Sequence, residues 1–213
     1  MARSTSLLLR LAGAGPDTVC LDWGGGNGLF CRMLRDQGYD FYTDDKYADP
    51  FYCQGFTRQQ CDDLPIDVVT SFEVFEHLAT PAIDLNRIRA LKPKLWIFST
   101  QLYSQQNANL KYLAQDTGRH VFFYSTNALF EFASANDYQF FCGREMHMFV
   151  RKANNDLLQK LVPRKAVQKL LLGDKLMATL AMLNFVGRQR DAHQYWQSDR
   201  AHIKRNLFGK GVA

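Results

Sequence analysis

The sequence has no apolar run long enough to cross a bilayer. Its longest apolar stretch, near Leu176–Val186, contains Asn184 and has a basic residue on either side, well short of the about 20 residues a span needs. The N-terminal run Leu7–Leu11, beside Arg3 and Arg10, is too short for the apolar core of a leader and lacks a small-residue cleavage site. Ser4–Leu11 is therefore expected as a helix packed on the domain. The five cysteines, Cys20, Cys31, Cys53, Cys61 and Cys142, are odd in number and include no Cys-x-x-Cys pair. They are expected to be reduced, buried thiols in a cytoplasmic protein, and no metal site is assigned. No internal repeat and no low-complexity segment is present.

Apolar residues make up 46% and aromatics 13% of the 213 residues. That supports a sizeable core and one compact domain with a small appendage, and it argues against global disorder. The overall charge of +5 hides an asymmetry. Residues 1–150 hold 13 Lys/Arg against 17 Asp/Glu, a net −4, whereas residues 151–213 hold 13 against 4, a net +9. A mildly acidic body thus carries a basic tail.

Apolar patterning alternates between strand and helix. Val19–Trp23 reads as a buried strand, Leu29–Gln37 as a helix stopped by Gly38, and Tyr39–Thr43 as a second strand ending at Asp44-Asp45. Ile66–Phe72 reads as a third strand. Pro81 opens a helix running to about Leu91, Pro93 breaks it, and Leu95–Thr100 is the next strand. Beyond the polar stretch Gln101–Gly118 come the run Val121–Tyr124 and a helix over Thr126–Ala135, with Thr126 as expected N-cap. The pair Tyr138–Cys142 and Met146–Val150 has Gly143 at or near its turn. From Asn154 onward the pattern is helical only. The order argues for an open α/β sheet closed by a hairpin.

The segment Asp22-Trp-Gly24-Gly-Gly26-Asn-Gly28 sits between the first strand and the first core helix. A glycine loop there lets backbone approach a ligand closely. The dinucleotide pattern G-x-G-x-x-G fails: from Gly24 it needs glycine where Leu29 stands, and from Gly26 where Cys31 stands. Asp45, 17 residues beyond Gly28, lies where the second strand ends at the crevice of an α/β sheet. There it, or Asp44 instead, can accept both hydroxyls of a ribose.

The spacing Asp22-x-Gly24-x-Gly26-x-Gly28 resembles motif I of class I S-adenosylmethionine (SAM) dependent methyltransferases, in which an acid just before the glycines helps place the methionine moiety. Asp67-Val-Val-Thr-Ser-Phe-Glu73-Val-Phe-Glu76-His77-Leu resembles motif IV of that fold, and Arg89-Ala-Leu-Lys-Pro93 resembles its usual helix end. Across about residues 19–150 the chain is similar to a bacterial methyltransferase family often found in surface polysaccharide biosynthesis. Among the segments that carry this similarity are Leu21–Phe30, Phe72–Leu78 and Gly118-Arg-His-Val-Phe-Phe-Tyr-Ser125. In that family the last usually reads G-Q-H-x-x-F-Y-S, and here Arg119 replaces the Gln. An N-terminal cysteine cluster common in the family is absent.

The resemblance implies an α/β, Rossmann-like, seven-stranded mostly parallel sheet with a C-terminal antiparallel hairpin strand, plus a helical C-terminal extension. The expected division is a methyltransferase domain over 1–151 and a basic extension over 152–213. SAM is the implied cofactor, held by Asp22, Gly24, Gly26, Gly28, Asp44, Asp45 and Glu73. Methyl transfer to a hydroxyl needs the acceptor and methyl held in line and a proton removed. His120 is the first candidate base and His77 the second. The competing roles are a loop-ordering hydrogen bond for His120 and a turn cap for His77.

The expected reaction is O-methylation of a sugar or glycan intermediate, the sugar resting on family analogy. The alternatives are another small acceptor, such as a quinone or natural-product phenol, and a noncatalytic SAM-fold partner subunit. The loop Gln101–Gly118, with Tyr103 and Tyr112, is the expected lid. In the tail, Leu157, Leu158 and Leu161, then Val167, Leu170 and Leu171, form helical stripes among basic residues. Those stripes suit packing on the domain, a homodimer, or peripheral contact with an anionic membrane or lipid-linked glycan. No nucleic-acid partner is expected. The chain has Phe72-Glu73-Val74-Phe75 where base N-methyltransferases carry an Asn/Asp-Pro-Pro-aromatic tetrad.

Overall fold

The computed structural model describes residues 1–103, 119–144, 146–161 and 165–191. Most of the expected lid, with Tyr112, and the tail beyond residue 191 lie outside the described residues. The chain divides into two compact units, Met1–Ile66 with Lys175–Ala213, and Asp67–Asp174.

The first unit begins with α1 (Ala2–Ala12), longer than the predicted Ser4–Leu11. Gly13, at φ 79°, ends it by donating its N–H back to Arg10 O and Leu9 O, the left-handed stop that favours glycine. Leu8 and Leu9 are fully buried, and the Tyr39 hydroxyl donates to Ser6 O at 2.9 Å. Strands β1 (Val19–Trp23) and β2 (Asp40–Asp44) pair in parallel, Val19 opposite Asp40 and Trp23 opposite Asp44. Helix α2 (Leu29–Arg35) joins them. Its last residue is a buried cation. Arg35 Nη1 donates to Asp40 Oδ1 at 2.9 Å and Phe41 O at 2.6 Å, and the guanidinium lies 3.6 Å from the Phe56 ring centroid, so the charge is both paired and stacked. The C-terminal helix α7 (Lys175–Asp191) packs against α1, burying Met177 and Ala181 while Leu176, Leu180 and Leu183 are exposed.

The second unit contains β3 (Val68–Ser71), α3 (Pro81–Ala90), β4 (Leu95–Phe98), α4 (Thr126–Ala135), β5 (Tyr138–Phe141) and β6 (His147–Arg151). It continues with α5 (Asn155–Leu161) and α6 (Lys165–Leu171). Strands β3 and β4 are parallel, whereas β6 runs antiparallel to both β4 and β5. Helix α4 is capped by Ser125, whose hydroxyl accepts from Ala128 N at 3.1 Å, one residue earlier than the expected Thr126. Its core is aromatic. Phe75 and Phe98 stack at 4.5 Å, and Phe98 and Phe149 lie 4.8 Å apart.

The described strands number six, a parallel pair in the first unit and a mixed set of four in the second, and not the expected seven in a mostly parallel sheet. Val121–Tyr124, the remaining apolar run, spends its backbone groups on loops. Val121 N and Phe122 N donate to Glu76 O, and Tyr124 O accepts from Tyr103 N, so no strand ladder forms. The hairpin expected near the C-terminal end of the sheet is present as β5–β6. Four cysteines are buried thiols as expected, but Cys142, just past the end of β5, is exposed.

Candidate active site

In the first unit the glycine loop is fitted to its neighbours atom by atom. A Cβ on Gly25 would stand 2.2 Å from Thr43 Oγ1 and 2.7 Å from Asp22 Oδ2, distances no side chain tolerates. A Cβ on Gly28 would meet the Cys53 Cβ at 2.7 Å. Gly26 differs. Its φ of +57° suits glycine, yet a Cβ there would find no heavy atom within 4 Å. The chain therefore presses against β1, β2 and Cys53 at Gly25 and Gly28, and leaves open space at Gly26.

The acids beside the loop hold its backbone. Gly24 N donates to Asp44 O at 2.7 Å. Gly26 N donates to Asp45 Oδ2 at 2.8 Å, while Tyr47 N and Ala48 N donate to Asp45 Oδ1 at 2.7 and 2.9 Å. Three of the about four lone-pair positions on the Asp45 carboxylate are thus used on backbone. Burial raises the Asp44 carboxyl above its ordinary range; Arg58 opposes this, and Asp45 and Asp62 add to it. Asp22 is 3% exposed. The Thr43 hydroxyl is buried with no hydrogen-bond partner among the described residues. Asp22, Gly24, Gly26, Gly28, Asp44 and Asp45 thus come together in this unit, with Thr43 and Cys53 as members that sequence reading did not single out.

In the second unit, Glu73 stands in the left-handed region at φ 54°, a conformation that stores strain in a non-glycine residue. Ser99 holds it there. The Ser99 hydroxyl accepts from Glu73 N at 2.9 Å and donates to Glu73 Oε1 at 2.6 Å. Two residues on, Phe75 enters the aromatic core and fixes the short 3-10 turn Phe75–His77. That turn presents Glu76 and His77.

The rings of His77 and His120 lie 4.9 Å apart. His77 Nδ1 is 2.7 Å from Arg119 O. A carbonyl only accepts, so Nδ1 carries a proton, and the neutral form of the ring has its lone pair on Nε2. Glu76 is fully buried, and neither carboxylate oxygen has a hydrogen-bond partner among the described residues. One ligand atom from each of Glu76, His77 and His120 lies within 4.8 Å of the others. In the sequence Glu76 stands out only as part of the motif IV segment, next to His77. The adjacent Glu-His pair was the available signal, but its partner His120 is far along the chain.

His147, by contrast, is fully used. Its Nε2 donates to Thr100 O at 2.9 Å and its Nδ1 accepts from Gly143 N at 3.1 Å. Burial lowers its pKa, with the Thr100 bond opposing. It is a neutral structural imidazole.

Residues 2–142 match the family described as a methyltransferase domain. No curated protein matches the sequence. Among solved structures, the chain is similar to magnesium protoporphyrin IX methyltransferase from Synechocystis PCC 6803 with bound SAH. The identity is 16% and the TM-score 0.50, covering 70% of this chain and 81% of that one, a likeness in Rossmann-like α/β fold alone. Geranyl diphosphate C-methyltransferase from Streptomyces coelicolor A3(2) shares 14% identity at TM-score 0.44, covering 87% of this chain and 71% of that one. The small RNA methyltransferase HEN1 shares 16% identity at TM-score 0.47 over 70% of this chain, which spans only 25% of that protein's length. With the family match extending over more than half of its 213 residues, the chain belongs to the methyltransferase-domain family.

Proposed function

We propose that this chain is a SAM-dependent methyltransferase that modifies a hydroxyl of a small-molecule or glycan acceptor. The observation that carries the reading is the glycine loop: closed against protein at Gly25 and Gly28, open at Gly26, and held by Asp45. A loop fixed so firmly around an open position fits a ligand that backbone must approach closely. Asp22, Gly24, Gly26 and Gly28 would hold the methionine side of the cofactor, with Asp44 offering its carboxylate to the ribose and Asp45 the one lone-pair position that its backbone bonds leave. Glu73 joins this set through its match to motif IV.

When bound, SAM supplies an electrophilic methyl group on a sulfonium. The chain's own part is to orient the acceptor, exclude water and accept a proton. His77 suits the last task, because the bond to Arg119 O fixes the tautomer of its neutral ring and makes Nε2 the nitrogen without hydrogen. His120 stands beside it and shares the assignment. The sugar or glycan class is supported by the family resemblance alone.

Calorimetric titration of the full chain with SAM and with SAH tests the reading. Saturable binding is expected, and its loss in Gly25→Val. A chain that binds neither compound is a noncatalytic member of the fold. Incubation with methyl-labelled SAM and panels of nucleotide sugars and phenols then separates the acceptor classes. Label transfer only to phenols would overturn the sugar assignment.

A further inference from the structure

Glu76 is an unusual residue to find where it is. Its carboxylate is fully buried, and both oxygens lack a hydrogen-bond partner among the described residues. An uncompensated buried carboxylate is among the most costly groups in a folded protein. A second polar group within reach of its charge is also unmet. The Tyr124 hydroxyl is buried without a partner among the described residues. Burial, and after it the charge of Glu76, pushes that phenol above its ordinary range.

Two imidazoles complete the cluster, with one ligand atom from each residue within 4.8 Å of the others. The His77 ring uses Nδ1–H on a backbone carbonyl, the hydrogen bond that ordinarily fixes a metal-binding histidine with its other nitrogen turned to the ion.

We propose that Glu76, His77 and His120 bind one divalent first-row transition-metal ion, and that an acceptor hydroxyl completes its coordination. One carboxylate and two neutral imidazoles form a ligand set for ions such as Mn2+, Fe2+, Co2+ or Zn2+. Mg2+ and Ca2+ favour all-oxygen shells. Three protein ligands leave positions open, as catalytic sites do. His77 is exposed and His120 half-buried, so the cluster is reachable from solvent. The ion supplies the positive charge that the buried carboxylate lacks. With it in place both imidazoles act as ligands in place of the base role given to them above, and a coordinated hydroxyl releases its proton to solvent water more readily than a free one. The role given to the acceptor rests on the methyltransferase reading above; the ion site does not.

The test uses the full chain, stripped of metal by chelator. It is titrated with Co2+, followed by visible d–d absorption, and with Mn2+, followed by electron paramagnetic resonance. SAM is titrated separately by calorimetry. One ion per chain is expected. Glu76→Gln should weaken it by about tenfold or more, and the double variant His77→Gln/His120→Gln should abolish it. SAM affinity should stay unchanged in both. A wild-type chain that binds SAM but shows no Co2+ spectrum and no Mn2+ uptake overturns the site. So does a Glu76→Gln chain that binds as tightly as wild type. If Glu76→Gln fails to fold by circular dichroism, His120→Gln takes its place in the comparison, and unweakened binding there overturns the site equally. Metal binding without SAM binding overturns the methyltransferase reading and leaves the ion site standing.

Discussion

The glycine loop and the Glu76–His77–His120 cluster treat the carboxylates of Asp45 and Glu76 in opposite ways. In the loop, the Gly24 and Gly26 N–H groups and three lone-pair positions on Asp45 are matched within the chain. In the cluster, a buried carboxylate and a buried phenol have no hydrogen-bond partner among the described residues. A site that must hold its shape around a ligand can be completed by its own backbone. The ion proposed above would account for the charge that the cluster leaves unmet at a cost in stability. His147 shows the third possibility. It is a histidine with both nitrogens matched, and the chain uses it only to hold structure.

The largest effect is expected from closing the loop. Gly25→Val puts a branched side chain where even a Cβ lies 2.2 Å from Thr43 Oγ1. It should lose about 3 kcal/mol of stability together with SAM binding, both measured on one preparation by denaturant melts and calorimetry. Retention of wild-type stability would show that the loop is less tightly held than its contacts imply.

His147 comes next. Its lowered pKa means that the unfolded chain binds the proton more readily than the folded one. The stability it contributes is therefore complete above its ordinary value of 6.5. It is lost as the pH falls from there toward the folded value. His147→Ala should cost about 1–3 kcal/mol at neutral pH, because Gly143 N and Thr100 O lose their partner. The variant should also flatten the acid limb of a stability-versus-pH curve, and an unchanged limb would assign acid sensitivity elsewhere.

Glu76→Gln sharpens the contrast by sign. In the metal-free chain it should raise stability by about 1 kcal/mol, because a neutral amide is cheaper to bury than an unpaired charge. A fall in stability would reveal a partner that holds the carboxylate without metal.

Gly26→Ala should be the mildest for folding, about 1 kcal/mol for the left-handed backbone alone, since its Cβ meets no protein atom. Its effect on SAM affinity should exceed its effect on stability. Unchanged affinity would mean that the ligand does not approach Gly26.

The parts legible in the sequence were those set by neighbours in the chain. The β1–loop–α2 segment, the Pro81 helix and the hairpin follow from apolar periodicity and breaker residues, with ends shifted by one or two positions. Val121–Tyr124 looked like the other apolar runs, yet its N–H groups go to Glu76 O, a partner that no local pattern announces. The acids at 44 and 45 were visible as a pair. That Asp45 clamps the backbone of Gly26, 19 positions away, was not.

The sequence by itself determined where the glycine loop sits and how its glycines are spaced, because glycine spacing is a covalent property of one short segment. Only the tertiary structure decided which groups the histidines meet. His77 and Arg119 stand 42 positions apart, and nothing short of folding brings them to 2.7 Å. The burial of Glu76 depends likewise on the aromatic core that Phe75 enters. Whether a carboxylate is matched or left bare is a property of its surroundings, and those are assembled from distant stretches of chain.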